Sequence, residues 1–361
     1  MSELSQDQIW MQRAIRLAQQ GQYSTRPNPN VGCVIVKDGQ VVGEGFHPRA
    51  GQPHAEVFAI RDAGALTQGA TAYVTLEPCA HYGRTPPCAK GLVEAGIAQV
   101  VVACSDPNPL VAGKGIQILQ EAGIQVTTGV CEADAAVLNR GFLKAMATGL
   151  PYVRLKVASS LDGRTAMASG ESKWITGPEA RQDVQHWRAI SGAVITGIET
   201  VLADDCLLNV RQLPDVDDIN TVVQPKRVVL DRQGRLPLNA KILQQPDTVM
   251  VMGPFRAELA QLGVIQLEIQ SLHSLLRTLK DFQIYDVLVE AGATLSSAFL
   301  QQGLVDELIS YVAPTLLGQS ARAMFNAEFE HLAEQLRFKL IDVSQIGNDV
   351  RLRLTPLQES I

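Results

Sequence analysis

His54, Glu56, Cys79 and Cys88 constrain this chain more than any other feature of it. His54-Ala55-Glu56 comes first, Glu77-Pro78-Cys79 follows, and Cys88 lies a short way beyond. One imidazole and two thiolates can hold a zinc ion and leave its fourth position open, whereas four protein ligands would close it. Glu56 is then a carboxylate beside the open position rather than a ligand. The fold must therefore bring a helix opening at His54 against a strand-to-helix junction at Cys79. Ala55 to Ile60 reads as that helix and Thr71 to Leu76 as the strand. Cys79 follows at a helix start, where the helix dipole favours an ionised thiol.

Such a site suits hydrolytic deamination of a base-like ring. Zinc lowers the pKa of its bound water to about 7. A nearby carboxylate can take the water proton and deliver it to the departing amine. Zinc nucleobase deaminases combine His-x-Glu with Pro-Cys-x-x-Cys and use the glutamate as acid and base. Here Ala80-His81-Tyr82-Gly83-Arg84-Thr85-Pro86-Pro87 separates the two cysteines, a departure that needs its own explanation. A lone histidine or cysteine is an ordinary core or surface residue; the order of the motifs is what argues for zinc.

With 361 residues the chain can hold two domains, each with a substantial core. Gly149-Leu150-Pro151 marks the expected boundary, giving domains 1–149 and 150–361. In the first, a helix near Gln6 to Gln20 precedes strands Val31 to Val36 and Val41 to Gly45 around an Asp38-Gly39 turn. Helices and strands then alternate, predicting an α/β/α sandwich, and one helix from Ala133 to Met146 leads out. The second domain restarts with the strand Tyr152 to Ala158. It includes helices Glu179 to Ile190 and Ser271 to Phe282 and closes with a hairpin of Phe338 to Val343 and Val350 to Leu354. Asp215 to Pro225 reads as an exposed loop.

A net charge of −6 gives no support for nucleic-acid binding. No apolar run is long enough to span a membrane, and the polar, acidic start is not a secretory signal. A cytoplasmic location is expected, with Cys33, Cys104, Cys131 and Cys206 as reduced core residues. Glu290-Ala291-Gly292-Ala293-Thr294 sits where a strand meets a helix, so small residues would let backbone amides approach a phosphate. It is also compatible with a plain turn. Arg188 and Arg211 can be surface residues or the partners of a sugar phosphate. Residue patterns alone make this domain an α/β unit with a candidate phosphate ligand.

The motif from Thr75 to Cys88, together with His-Ala-Glu, closely resembles the bifunctional riboflavin-biosynthesis deaminase–reductases, whose inter-cysteine insert has this long form. Thr25 to Cys33, Lys156 to Arg164, Ser172 to Thr176 and Glu290 to Gly292 resemble further motifs of that family. The resemblance covers essentially the whole chain. It implies a cytidine-deaminase-like domain followed by a dihydrofolate-reductase-like domain. It also implies zinc-dependent deamination of 2,5-diamino-6-(5-phosphoribosylamino)pyrimidin-4-one, then NADPH-dependent reduction of the ribosyl group to ribityl. A homo-oligomer, with a dimer favoured, is expected.

Carried over position by position, zinc falls on His54, Cys79 and Cys88 and the proton shuttle on Glu56. Asn28, His47, His81 and Arg84 become substrate contacts of the deaminase, Arg84 as a phosphate partner. Ala158, Trp174, Thr200, Asp204, Gly292, Ala293, Thr294, Leu295, Ser296, Ser297 and Ala298 match NADPH-contacting positions. Ser172, Arg188, Leu208, Arg211 and Glu290 match substrate-contacting ones, with Lys156 and Asp162 close to the reacting sugar. Two other readings stay open: a deaminase of RNA or free nucleosides carrying an accessory domain, and a non-catalytic zinc-binding protein. The acidic charge and long insert argue against the first, the intact His-Ala-Glu against the second.

Overall fold

The computed structural model describes residues 4–80, 87–108 and 112–357. The chain divides into two compact units, Met1–Leu150 and Pro151–Ile361. Among the described residues no helix is long and apolar enough to cross a membrane.

The first unit runs α1 (Gln6–Gln19), β1 (Gly32–Lys37), β2 (Gln40–Phe46), α2 (Ala55–Ala63), β3 (Thr71–Leu76), α3 (Cys88–Glu94), β4 (Gln99–Cys104), α4 (Lys114–Glu121), β5 (Gln125–Thr128), α5 (Glu132–Leu138) and α6 (Arg140–Thr148). Ser5 starts α1 with a capping box shared with Gln8, which satisfies two otherwise orphaned donors. Asp38 and Gly39 both take positive φ, as the turn of the β1–β2 hairpin requires. The described sheet has the order β2-β1-β3-β4-β5, antiparallel at the β2 side and parallel from β3 to β5. One face buries Ala55 and Ala59 of α2, Ala89 and Leu92 of α3, and Leu119 of α4. The other buries Met11, Ala14 and Ile15 of α1 and Ala135 of α5. The expected three-layer arrangement follows. The single helix expected from Ala133 to Met146 is broken instead. Asn139 leaves the helical register, and its amide accepts from the Asn30 N–H (2.7 Å) and donates to the Asn30 carbonyl (2.9 Å). That pair ties the helices to the Asn28–Asn30 segment.

The second unit runs β6 (Tyr152–Ser160), β7 (Arg164–Ala166), α7 (Pro178–Ala189), β8 (Ala193–Gly197), α8 (Ile198–Asp204), β9 (Lys226–Leu230), β10 (Val249–Met252), α9 (Ala257–Gln261), β11 (Ile265–Leu267), α10 (Leu272–Asp281), β12 (Asp286–Glu290), α11 (Ala293–Gln301), β13 (Glu307–Ala313), β14 (Arg322–Ala323), β15 (Phe338–Ile346) and β16 (Asp349–Pro356). Its large described sheet is ordered β11-β10-β9-β8-β12-β6-β13-β16-β15. Strands β11 to β13 pair in parallel, and the β15–β16 hairpin adds antiparallel to β13. The neighbours β6 and β12 put Lys156 beside Glu290 in register. Helix α7 packs Ala180, Val184 and Trp187 into a core with Leu288, Ile309 and Tyr311. Helix α10 buries Leu272, Leu275, Leu276 and Leu279, each stabilising by about 1.5–3 kcal/mol of apolar transfer.

Candidate functional site

His54 is the N-cap of α2, so Glu56 falls in the first turn and is almost fully buried. Cys79 lies just past the end of β3, and Cys88 opens α3 behind Pro87. The ligand atoms of His54, Cys79 and Cys88 all lie within 4.8 Å of one another. His54 Nδ1 is 3.2 Å from Cys88 Sγ and 3.6 Å from Cys79 Sγ, and the Cys88 N–H donates to Cys79 Sγ at 3.2 Å. Tetrahedral zinc with these donors would space them at roughly 3.5–3.8 Å. One imidazole nitrogen with two sulfurs at this spacing fits that ion.

Without an ion the two thiols share a proton: hydrogen bonding from the Cys88 thiol pulls Cys79 down, against burial, with help from His54 and the Cys88 amide, while the same bond and burial push Cys88 up. Burial lifts the Glu56 carboxyl to about 6, although His54 draws it down. Glu56 Oε2 is buried without a partner among the described residues, so one carboxylate oxygen remains available for chemistry. Asn28 Nδ2 meets His47 Nε2 at 3.0 Å, and His47 Nδ1 faces the Pro53 carbonyl at 3.0 Å. The carbonyl can only accept, so the proton sits on Nδ1 and Nε2 accepts from Asn28. The His47 and His54 rings meet edge to face at 5.3 Å. His81 and Arg84 lie outside the described residues.

In the second unit, Lys156 Nζ stands 3.9 Å from Glu290 Oε2. Arg188 grips the same carboxylate with two bonds, 2.6 and 3.0 Å, and reaches the Asn209 carbonyl at 3.4 Å. Burial raises the Glu290 carboxyl, but Arg188 and Lys156 together outweigh it and hold the group below its ordinary value. Burial lowers the Lys156 ammonium despite the Glu290 charge. Lys156 also faces the Tyr311 ring, 6.0 Å from its centroid. Ala158 follows on β6, half-buried against the α7 core.

The other expected positions fall on flanking segments. Ser172 Oγ lies 3.5 Å from Asp204 Oδ1, at the end of the helix that also carries Thr200. Trp174 is 69% exposed, with the Arg181 guanidinium 4.4 Å over its ring. Gly292 caps α11, and a Cβ built there meets nothing within 4 Å, which leaves room at the helix start. Leu295 packs towards Gly197, bringing the β8–α8 turn beside α11. Thr294 Oγ1 and Ser297 Oγ accept from Asn326, and Ser296 Oγ donates to the Ala291 carbonyl. Ala293 and Ala298 complete this run on α11. The Asp162 carboxylate accepts from Ser160, Leu317 N–H and Gly318 N–H, and is thereby held at about 2. Arg211 is exposed and donates to Asn209 Oδ1 at 3.0 Å.

Residues 4–104 match the cytidine and deoxycytidylate deaminase zinc-binding region, and residues 151–352 match the RibD C-terminal domain. The riboflavin biosynthesis protein RibD of Haemophilus influenzae is 50% identical over 364 aligned positions, covering 98% of both chains. The chain belongs to the bifunctional riboflavin-biosynthesis deaminase–reductase family. Acinetobacter baumannii RibD superposes with a TM-score of 0.97 at 77% identity, covering 99% of this chain and 100% of that one. A Thermotoga maritima diaminohydroxyphosphoribosylaminopyrimidine deaminase/5-amino-6-(5-phosphoribosylamino)uracil reductase superposes at 0.87 with 35% identity, covering 98% and 99%. This deaminase–reductase therefore pairs a zinc-binding deaminase domain with an NADPH-dependent reductase domain.

One further carboxylate holds the site's frame. Glu77 is buried, and its carboxylate accepts from the backbone N–H groups of Asp106, Gly113, Gly115 and Ile116 at 3.0–3.4 Å. It fastens the start of α4 to the strand end that carries Cys79. A Cβ at Gly115 would come within 1.9 Å of the Pro78 carbonyl, so only glycine permits this approach. The signal was present in Glu77-Pro78-Cys79, but its donors lie some thirty to forty residues downstream.

Proposed function

We propose that the deaminase half acts on 2,5-diamino-6-(5-phosphoribosylamino)pyrimidin-4-one and that the reductase half reduces the ribosyl group of its product to ribityl. The observation that carries the first step is the trio of donors within 4.8 Å beside the buried, unpartnered Glu56 oxygen. Zinc held by His54, Cys79 and Cys88 supplies the Lewis acidity that makes water a nucleophile near neutral pH. Glu56 takes the proton of the attacking water and passes it to the departing amine. Its raised pKa suits both tasks, because the carboxyl then gains and loses a proton near neutrality. Asn28 and His47 orient the pyrimidine, and the segment with His81 and Arg84 reads the ribose phosphate.

In the reductase half, NADPH supplies the hydride. Gly292 to Ala298, at the start of α11, would hold the cofactor, with Ala158, Trp174, Thr200 and Asp204 flanking it. Lys156 presents its ammonium to the ribose oxygen as the ring opens; Arg188 fixes Glu290, and Glu290 fixes Lys156. Ser172, Leu208 and Arg211 shape the ribotide site, with Arg211 on the phosphate. Asp162 holds the neighbouring turn. Incubating the protein with the diaminopyrimidine ribotide tests both steps. Ammonia release without NADPH, then NADPH oxidation when it is added, is expected; ammonia release that depends on NADPH contradicts the order.

A homodimer formed through the reductase half is the assembly we favour. Leu340, Val343 and Val350 are 52%, 55% and 38% exposed. They share a sheet face with Leu352 and Leu354. Sedimentation of a Val343→Glu variant as monomer, against a dimeric parent, is the expected outcome. The six free cysteines, two of them the thiol ligands, support a reducing, cytoplasmic setting.

A further inference from the structure

Between α8 and β9, the segment Leu207 to Arg211 has no regular secondary structure, yet side chains from elsewhere hold nearly every residue of it. Arg227 reaches the Leu207 carbonyl (3.4 Å) and Arg188 the Asn209 carbonyl (3.4 Å). Gln224 grips Val210 twice: its Oε1 accepts from the Val210 N–H at 2.9 Å and its Nε2 donates to the Val210 carbonyl at 3.0 Å. Gln185 Oε1 accepts from the Arg211 N–H at 3.0 Å. The two amides thus give Val210 and Arg211 the hydrogen bonds that a neighbouring strand would supply. Within this segment Leu208 takes φ +53°, a left-handed conformation costly for a branched side chain. Such conformations persist where the surroundings over-determine them.

The positions of the two glutamines are informative. Gln185 is only 7% exposed and lies on the same helix as the apolar Ala180, Val184 and Trp187. Burying an amide there is unfavourable unless it is bonded, and its acceptor bond goes to the backbone of Arg211. Gln224 lies just before β9. The residue so held, Arg211, carries an exposed guanidinium next to the Arg188 charge. A guanidinium reads a phosphate through a planar fork, so its value depends on where the backbone puts it.

We propose that Gln185 and Gln224 are positioning residues that fix the 207–211 segment and thereby set the reductase's preference for a phosphorylated ribosyl substrate. This rests on Arg211 being the phosphate ligand. The test uses the full chain with NADPH, comparing 5-amino-6-(5-phosphoribosylamino)uracil with its dephosphorylated riboside. In Gln185→Met and Gln224→Met, the ratio of kcat/KM between the two substrates falls roughly tenfold, through KM of the phosphorylated one. Gln224→Glu keeps the acceptor for the Val210 N–H but sets a carboxylate oxygen against the Val210 carbonyl, so it loses at least as much as Gln224→Met. Ammonia release by the deaminase half stays at the parent rate.

An unchanged ratio overturns the proposal. So does an equal loss on both substrates, which would mark general support of the fold. If Gln185→Met abolishes NADPH binding, the Gln224 pair decides. Arg211→Ala separates the two levels. A lost preference in Arg211→Ala with an intact one in both glutamine variants sinks this proposal alone. An intact preference in Arg211→Ala removes Arg211 from the phosphate and takes the proposal with it.

Discussion

The deaminase half gathers its chemistry into one stretch, from His54 to Cys88, where three donor atoms and a carboxylate meet within a few ångströms. The reductase half draws Lys156 from β6, Arg188 from α7, Arg211 from a loop and Glu290 from β12. A metal explains the first economy. A zinc ion draws its ligands to one point, so three donors and one carboxylate can define the site. Hydride transfer offers no such organising ion, and each positioning contact is worth only about 1 kcal/mol, so the fold must supply many. The first site should therefore fail abruptly when one group is lost, and the second by degrees.

The largest effect should come from the metal ligands. Cys79→Ser, or chelation of the parent, is expected to remove zinc by elemental analysis and abolish ammonia release. NADPH oxidation on the deaminated ribotide should persist. If both activities fall together, the halves are not independent and the contrast breaks. Next comes Glu56→Gln, which should keep the zinc yet lose about 10²–10⁴-fold in deamination, the usual worth of a general acid–base. Retained deamination would move the proton shuttle elsewhere. In the reductase, Lys156→Ala should cost about 10²-fold in kcat with NADPH affinity unchanged by fluorescence titration. A rise in KM alone would make Lys156 a binding residue.

The same contrast governs how much could be read beforehand. His54, Glu56, Cys79 and Cys88 were legible because zinc chemistry fixes residue types and their order. The hairpin at Asp38-Gly39 and the closing β15–β16 hairpin were legible from turn chemistry and alternation. Glu77 was not, because its role depends on backbone donors folded back from far downstream. Asn139 breaks an otherwise helical pattern to pair with Asn30, a tertiary bond that local periodicity cannot register. Gln185 and Gln224 carry no motif; the segment from Asp215 to Pro225, read as exposed loop, turns inward at Val222 and half-buries Gln224. Sequence left Arg188 open between a surface residue and a sugar-phosphate partner, and its clasp on Glu290 emerges only when α7 lies across β12.

The smallest effect separates the halves by their response to acid. His186 on α7 is pressed down to about 4, first by burial and then by Arg154, Arg351 and Arg353, against the pull of Asp183. Its folded value lies below the unfolded 6.5, so the unfolded chain binds the extra proton between them. Stability is complete above pH 6.5 and drains away as the pH falls towards 4, by about 3 kcal/mol. Denaturant unfolding of the reductase half, followed by Trp187 fluorescence, should therefore show a lower midpoint at pH 5 than at pH 7. The neighbouring ring, 5.2 Å from Trp187, makes the probe local. His186→Gln should flatten that dependence. A slope that survives the substitution would remove His186 as its source.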